Sequence, residues 1–199
     1  VSELLIELPT GTSTTNYDHS IYMYQGEYNQ ITNTTIIANG SRYGILVHKS
    51  HRNYIANNRF GFTINGIYRI ALAGSSHNII LGNLVYGAAY GIQIGTYLDG
   101  ETDASNNNIV ANNVVLEAST QIELRYSSNN IIIGNNLMRG EGKASDYSAY
   151  NFTIKLYGVD NHYNFITSNI CMGKAPVVEG GTGNSVWGNK YDSGDDLPI

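Results

Sequence analysis

Six short segments of this chain repeat one pattern: "RNYIANN" (52–58), "NIILGN" (78–83), "NNIVAN" (107–112), "NIIIGN" (130–135), "NFITSN" (164–169) and "NSVWGN" (184–189). The pattern is N-x-[IVF]-x-[GAS]-N, with Arg52 in the first position of one copy, and "TTIIAN" (34–39) reads as an earlier, degenerate copy. The closing asparagines fall at 39, 57, 83, 112, 135, 169 and 189, a mean spacing of 25 residues. A period in this range marks a stack of equivalent units, because so short a unit cannot bury its own apolar face.

Each copy is followed by a second short run: "GILV" (44–47), "RIALAGSS" (69–76), "GIQIG" (91–95), "QIELRYSS" (121–128) and "FTIKLYG" (152–158). Apolar residues take every second place, as in Ile92 and Ile94 or Ile122 and Leu124. Period two is the strand period, and no window carries a sustained helical stripe. Strands stacked in register give parallel sheets about 4.8 Å per turn. The expected fold is therefore all-β, a single-stranded right-handed parallel β-helix of about seven rungs. One domain covers 1–199: an entering rung or cap over 1–29, repeats over 30–192 and a tail over 193–199. The opening "VSELLIELPTG" looks like a strand entered mid-way, so a piece of a longer chain is expected.

Asparagine beside isoleucine gains a reason in such a stack. Asn tolerates the left-handed backbone of a tight bend. Its amide both donates and accepts, so stacked amides satisfy one another along the axis, as an asparagine ladder. In "NNIIIGNN" (129–136) the isoleucines then mark the strand and the interior, and Asn130 and Asn135 the corners.

The cadence resembles the right-handed parallel β-helix superfamily, the pectin-lyase-like fold, over residues 30 to 192. That group includes polysaccharide lyases, hydrolases, uronan epimerases and phage tailspikes. The resemblance implies an extracellular or virion protein that meets polysaccharide, most like a phage tailspike or appendage, and a homotrimer. A secreted bacterial lyase or hydrolase is the second reading, and a structural spacer the third. The group's catalytic signatures are absent: no Asn-Thr-Asp, Gly-His-Gly, R-x-P-x-x-R or Asp-Pro-His-Asp occurs.

Composition agrees with a neutral, hydrogen-bonding surface. Charged residues make up 14% of the 199, against a usual share of about 25%. The net charge of −5 and the scattered 11 Lys and Arg argue against nucleic acid. No apolar run of about 18 residues exists to span a membrane. The single cysteine, Cys171, excludes an internal disulfide and reads as a small buried residue. The five histidines, at 19, 48, 51, 77 and 162, read as turn-capping polar residues rather than metal ligands.

Two insertions carry acid groups: 96–107 with Asp99, Glu101 and Asp103, and 139–152 with Glu141 and Asp146. Carboxylates at i, i+2 and i+4 could chelate Ca²⁺ or form half of an acid/base pair, or simply line a solvated turn. Aligning the runs puts Gln93, Glu123 and Lys155 at one outward position, and Gly95, Arg125 and Tyr157 at the next. Tyr97 and Tyr126 lie just beyond. Aromatic faces and planar polar groups hold sugars in this way. Glu123 with Asp99 or Asp103 would supply the two carboxylates of a glycosidase. The plainer reading of Glu123 and Lys155 is a cross-rung ion pair worth little.

Overall fold

The computed structural model describes residues 4–8, 19–38, 42–61, 67–98, 101–138, 152–172 and 176–191. The described side chains exclude those of 4, 6–8, 38, 96–98 and 101–103. It is a right-handed parallel β-helix whose chain winds past three faces in turn.

Face 1 is a seven-stranded parallel sheet built from Gln30–Thr32, Tyr54–Ala56, Ile79–Leu81, Ile109–Ala111, Ile131–Ile133, Phe165–Thr167 and Ser185–Trp187. Face 2 holds Leu4–Leu8, Thr34–Ala38, Arg59–Phe60, Asn136–Met138, Ile170–Met172 and Lys190–Tyr191. Face 3 holds His19–Tyr24, Tyr43–His48, Tyr68–Ala73, Phe152–Tyr157 and Val177–Val178. Two long strands, Leu84–Ile94 and Val114–Arg125, run from face 2 round a bend into face 3. The bend sits at Gly87 (φ 53°) and its register neighbour Glu117 (φ 56°).

The middle residue of each face 1 strand points inward. Ile55, Ile80, Val110, Ile132 and Ile166 are fully buried and stack one above another. Face 2 adds Ile36, Phe60, Val85, Val115, Leu137 and Cys171, and face 3 adds Ile45, Ile70, Ile92, Ile122 and Ile154. These residues form one continuous core. Of the three isoleucines in "NNIIIGNN", Ile132 alone is interior; Ile131 is 37% exposed and Ile133 half-buried.

Two files of asparagine amides run up the corners that flank face 1. In the first, each Nδ2 donates to the next Oδ1 from Asn29 through Asn53, Asn78, Asn108, Asn130 and Asn164 to Asn184, at 3.0–3.2 Å. The second runs from Asn58 through Asn83, Asn113, Asn135 and Asn169 to Asn189, at 2.9–3.0 Å. The same oxygens accept the backbone N–H of the rung before, as Asn83 Oδ1 does from Asn58. A third file is serine: Ser50, Ser75, Ser105 and Ser127, joined N–H to Oγ.

The register differs from the sequence alignment in two copies. Asn57 and Asn112 do not belong to the second file; Asn58 and Asn113 do. Asn57 and Asn112 instead occupy the left-handed position just before it, with Gly82, Gly134, Ser168 and Gly188. The pattern N-N at these sites matches the template one residue early. "TTIIAN" likewise falls on face 2, since face 1 begins with Gln30–Thr32.

The left-handed file shows why Asn and Gly trade places. A Cβ at Gly82 would come within 2.7 Å of Asn57 Oδ1, and one at Gly134 within 2.5 Å of Asn112 Oδ1. Each asparagine side chain therefore fills the space that a side chain on the next rung would need.

The first insertion is a hairpin: Thr96–Leu98 pairs antiparallel with Glu101–Asp103, Thr96 opposite Asp103. Asp99 lies outside the described residues, as does 139–151 with Glu141 and Asp146.

Candidate functional site

Face 3 presents three outward columns. The first reads His19, Tyr43, Tyr68, Tyr90, Thr120, Phe152. The second reads Tyr22, Leu46, Ala71, Gln93, Glu123, Lys155. The third carries Tyr24, His48 and Ala73, and further along Arg125 and Tyr157. Gln93, Glu123 and Lys155 are thus adjacent on successive rungs, and so are Arg125 and Tyr157.

The sequence missed the first column. Tyr43, Tyr68 and Tyr90 stack face to face, with centroids 4.9 Å apart and planes 13° and 18° from parallel. The signal was present in "RYGIL", "IYRIA" and "AYGIQ", where one tyrosine precedes each alternating run. Parallel stacking puts like side chains at about 4.8 Å, which suits offset aromatic contact. Tyr43 packs with Leu46, Ala71 and Ala73 in a small buried cluster of its own.

Burial separates the predicted residues. Gln93 is 0% exposed and Glu123 2%. Glu123 Oε1 accepts from Gln93 Nε2 at 2.8 Å and from Arg125 Nε at 2.5 Å. Lys155 Nζ pairs with Glu179 Oε1 at 2.7 Å rather than with Glu123. The Arg125 side chain is 23% exposed and its guanidinium lies 4.4 Å from the Tyr157 ring centre and 5.9 Å from that of Tyr90. Lys155 Nζ lies 4.6 Å from the Tyr157 ring and 4.3 Å from that of Phe152. Tyr157 itself is 40% exposed. Tyr126 is half-buried beside Arg125, in a left-handed conformation. Tyr97, Glu101 and Asp103 sit on the hairpin strands, but their side chains, which the calcium reading needs, lie outside the described set.

The electrostatics follow from the packing. Burial would pull the Arg125 guanidinium down, but its bond to Glu123 holds it above its ordinary value. Burial pushes Tyr68 and Tyr90 up, so both remain neutral phenols at neutral pH. Two cations, each with its own carboxylate, therefore lie over the Tyr157 ring, which is itself 40% exposed. Such a surface presents a partly exposed aromatic ring with fixed N–H donors against it.

A family model described as "Periplasmic copper-binding protein (NosD)" matches residues 10–195. No protein of curated function matches the chain. Among solved structures, the Dettilon tailspike protein gp208 is similar, with a TM-score of 0.68 and 21% identity over 92% of this chain. The chain spans 45% of that tailspike. An alginate lyase from Paenibacillus sp. str. FPU-7 is also similar, with a TM-score of 0.60 and 17% identity over 98% of this chain and 80% of the lyase. At these identities the likeness is one of fold.

The described side chains do not fit copper. No three of His, Cys, Asp and Glu come together among them. Cys171 is fully buried in the core, and burial pushes its thiol up to about 11. His51 Nδ1 accepts from the Ser76 backbone N–H at 3.1 Å, and His162 Nδ1 from that of Thr182 at 3.0 Å. Met138 and Met172 are register neighbours on face 2, but the strand on the other side of Met138 offers Leu116, and Cys171, next to Met172 in the chain, has its thiol turned inward.

Proposed function

The chain belongs to the NosD family, and from that footing we propose that it is an extracytoplasmic polysaccharide-binding β-helix, a module of the phage tailspike or appendage kind. The observation that carries this reading is the Arg125–Tyr157–Lys155 cluster on face 3, with the Tyr43–Tyr68–Tyr90 stack leading into it. The likeness of fold to a tailspike and to an alginate lyase supports the same class of partner.

In this proposal the exposed part of Tyr157 packs against a sugar ring, while Arg125 and Lys155 donate to its hydroxyl or carboxylate oxygens. Glu123 and Gln93 act behind them, holding Arg125 in place. Cleavage is the second reading, with Glu123 acting beside Asp99 or Asp103. A secreted lyase or hydrolase would work this way, whereas a spacer would bind nothing.

A glycan array with neutral and uronate polysaccharides tests the proposal. Binding to at least one is expected, weakened about tenfold or more by Tyr157→Ala or Arg125→Ala. No binding to any glycan would remove the proposal in favour of the spacer. On any hit, new absorbance at about 235 nm would mark a lyase, and reducing ends alone a hydrolase.

Self-association as a homotrimer belongs to the same proposal. Its support is the outward column of face 1, where Tyr54, Ile79, Ile109, Ile131 and Phe165 follow one another without a charge. Ile79 and Ile131 are each 37% exposed. An unbroken apolar row of this kind favours burial against another surface.

A further inference from the structure

The bend between faces 2 and 3 breaks local rules at several adjacent places. Glu117 is the one carboxylate among the described residues other than glycine with positive φ, and its register neighbour is Gly87. A side chain there costs roughly 1 kcal/mol or more that glycine does not. Behind the bend, Arg69 is 1% exposed, and its Nε donates to the carbonyl of Gly87 at 2.8 Å. Burial lowers the Arg69 guanidinium to about 10. Two rungs on from Arg69, on the strand that carries Glu117, Gln121 is 0% exposed, with neither side-chain polar atom hydrogen-bonded. Departures that cluster in this way are a reason to look for a site beside them.

Outside the same bend lies an open cleft of about 570 Å³. Its size is ordinary for a small-ligand site, roughly 300–1,000 Å³. Leu84 and Leu116 give it an apolar floor, and Arg59, Tyr86 and Glu117 its polar edge. Arg59 is exposed, while Tyr86 and Glu117 are half-buried. The Tyr86 hydroxyl donates to the Glu117 carboxylate, which holds the phenol above its usual range.

We propose that this cleft is a second carbohydrate site, one that takes a neutral pyranose unit from a side unconnected with the face 3 cluster. The apolar floor and the Tyr86 ring suit the CH face of a sugar. Glu117 accepts from paired hydroxyls, and Arg59 donates to ring or hydroxyl oxygens. One cation and one anion leave the cleft without net charge. A uronate would set its carboxylate against Glu117, so an uncharged sugar is the better match. The left-handed Glu117 then has a purpose: its carboxylate joins Tyr86 at the cleft.

The test is saturation-transfer NMR and calorimetry with maltose, cellobiose and N,N′-diacetylchitobiose. At least one is expected to bind. Glu117→Gly should weaken that binding tenfold or more while leaving the melting temperature equal or higher, because glycine relieves the backbone. Tyr86→Ala and Arg59→Ala should weaken it too, and Tyr157→Ala should not. Failure of all three disaccharides to bind would overturn the proposal, as would binding that survives Glu117→Gly. Binding lost in Tyr157→Ala alone would also overturn it, and would leave the face 3 reading standing by itself.

Discussion

Asn135 and Asn136 are the same residue type one position apart, and the fold gives them opposite roles. Asn135 Oδ1 receives the backbone N–H and the Nδ2 of Asn113, and its own Nδ2 reaches Asn169 Oδ1 and the Val110 carbonyl. Asn136 opens a face 2 strand, half-buried, with its Oδ1 unpartnered. Asn135→Leu should therefore cost about 3–5 kcal/mol, since each buried group left unpaired costs about 1–3. Asn136→Leu should stay within about 1 kcal/mol. Equal losses in urea melts would contradict the amide file. Cys171 offers a second residue-scale check. Its thiol is raised from 9.0 to about 11, so the folded state prefers the protonated form. The stability this gives is complete below pH 9 and is lost as pH rises from 9 through 11. The loss should be about 2–3 kcal/mol, and Cys171→Ala should remove that segment of the pH curve. A wild-type curve unchanged between those values would show the thiol to be solvated. Raised Tyr68 and Tyr90 lose stability in the same direction, at higher pH.

At the scale of the element, the strands of faces 1 and 3 were legible because alternation is a direct image of inside and outside. Those of face 2 are short, share no repeated letters and were not legible, "TTIIAN" reading as a face 1 copy. The face 3 register of Gln93, Glu123 and Lys155 could be read by aligning "GIQIG", "QIELR" and "TIKLY", since parallel strands stack without slip. The register of face 1 was less legible. Asn serves both the hydrogen-bonded file and the left-handed bend one residue earlier, so letters alone cannot say which of two adjacent asparagines is which. Pairing inside face 3 was hidden for a different reason. Glu123 meets Arg125 two residues along its own strand, not the Lys155 across the rung, and side-chain reach decides that. The cleft at Glu117 had no sequence signal, because it depends on a bend between two runs. The hairpin is an excursion from a closed stack: Thr96 and Asp103 face each other at its base. Replacing 97–102 by Asn-Gly should leave the melting temperature within a few degrees, because loop length alone costs little. A collapse of the far-UV β signal would mean that the hairpin supports the rungs.

For the molecule as a whole, each rung touches its neighbours, so stability accumulates along one axis. A low share of charge, 14%, leaves long neutral faces. Among the described residues, no helix is long and apolar enough to cross a membrane. The proposed trimer is testable at this scale by sedimentation velocity. Wild-type protein is expected at three times the chain mass of 21.8 kDa, and Ile131→Lys near one. A monomer in both would set the trimer aside without touching either carbohydrate site.

The left-handed file has a consequence for how such a chain can grow. From Asn57 onward, positions that carry a side chain alternate with bare glycines: Asn57, Gly82, Asn112, Gly134, Ser168, Gly188. Asn33 precedes Asn57 with no glycine between them, so two asparagines also stack directly in this file. The constraint is therefore local rather than a strict alternation. Where a glycine lies against an asparagine amide, as Gly82 does against Asn57 and Gly134 against Asn112, a side chain in its place would have to displace that amide. A turn copied into either of those two places must bring its glycine with it.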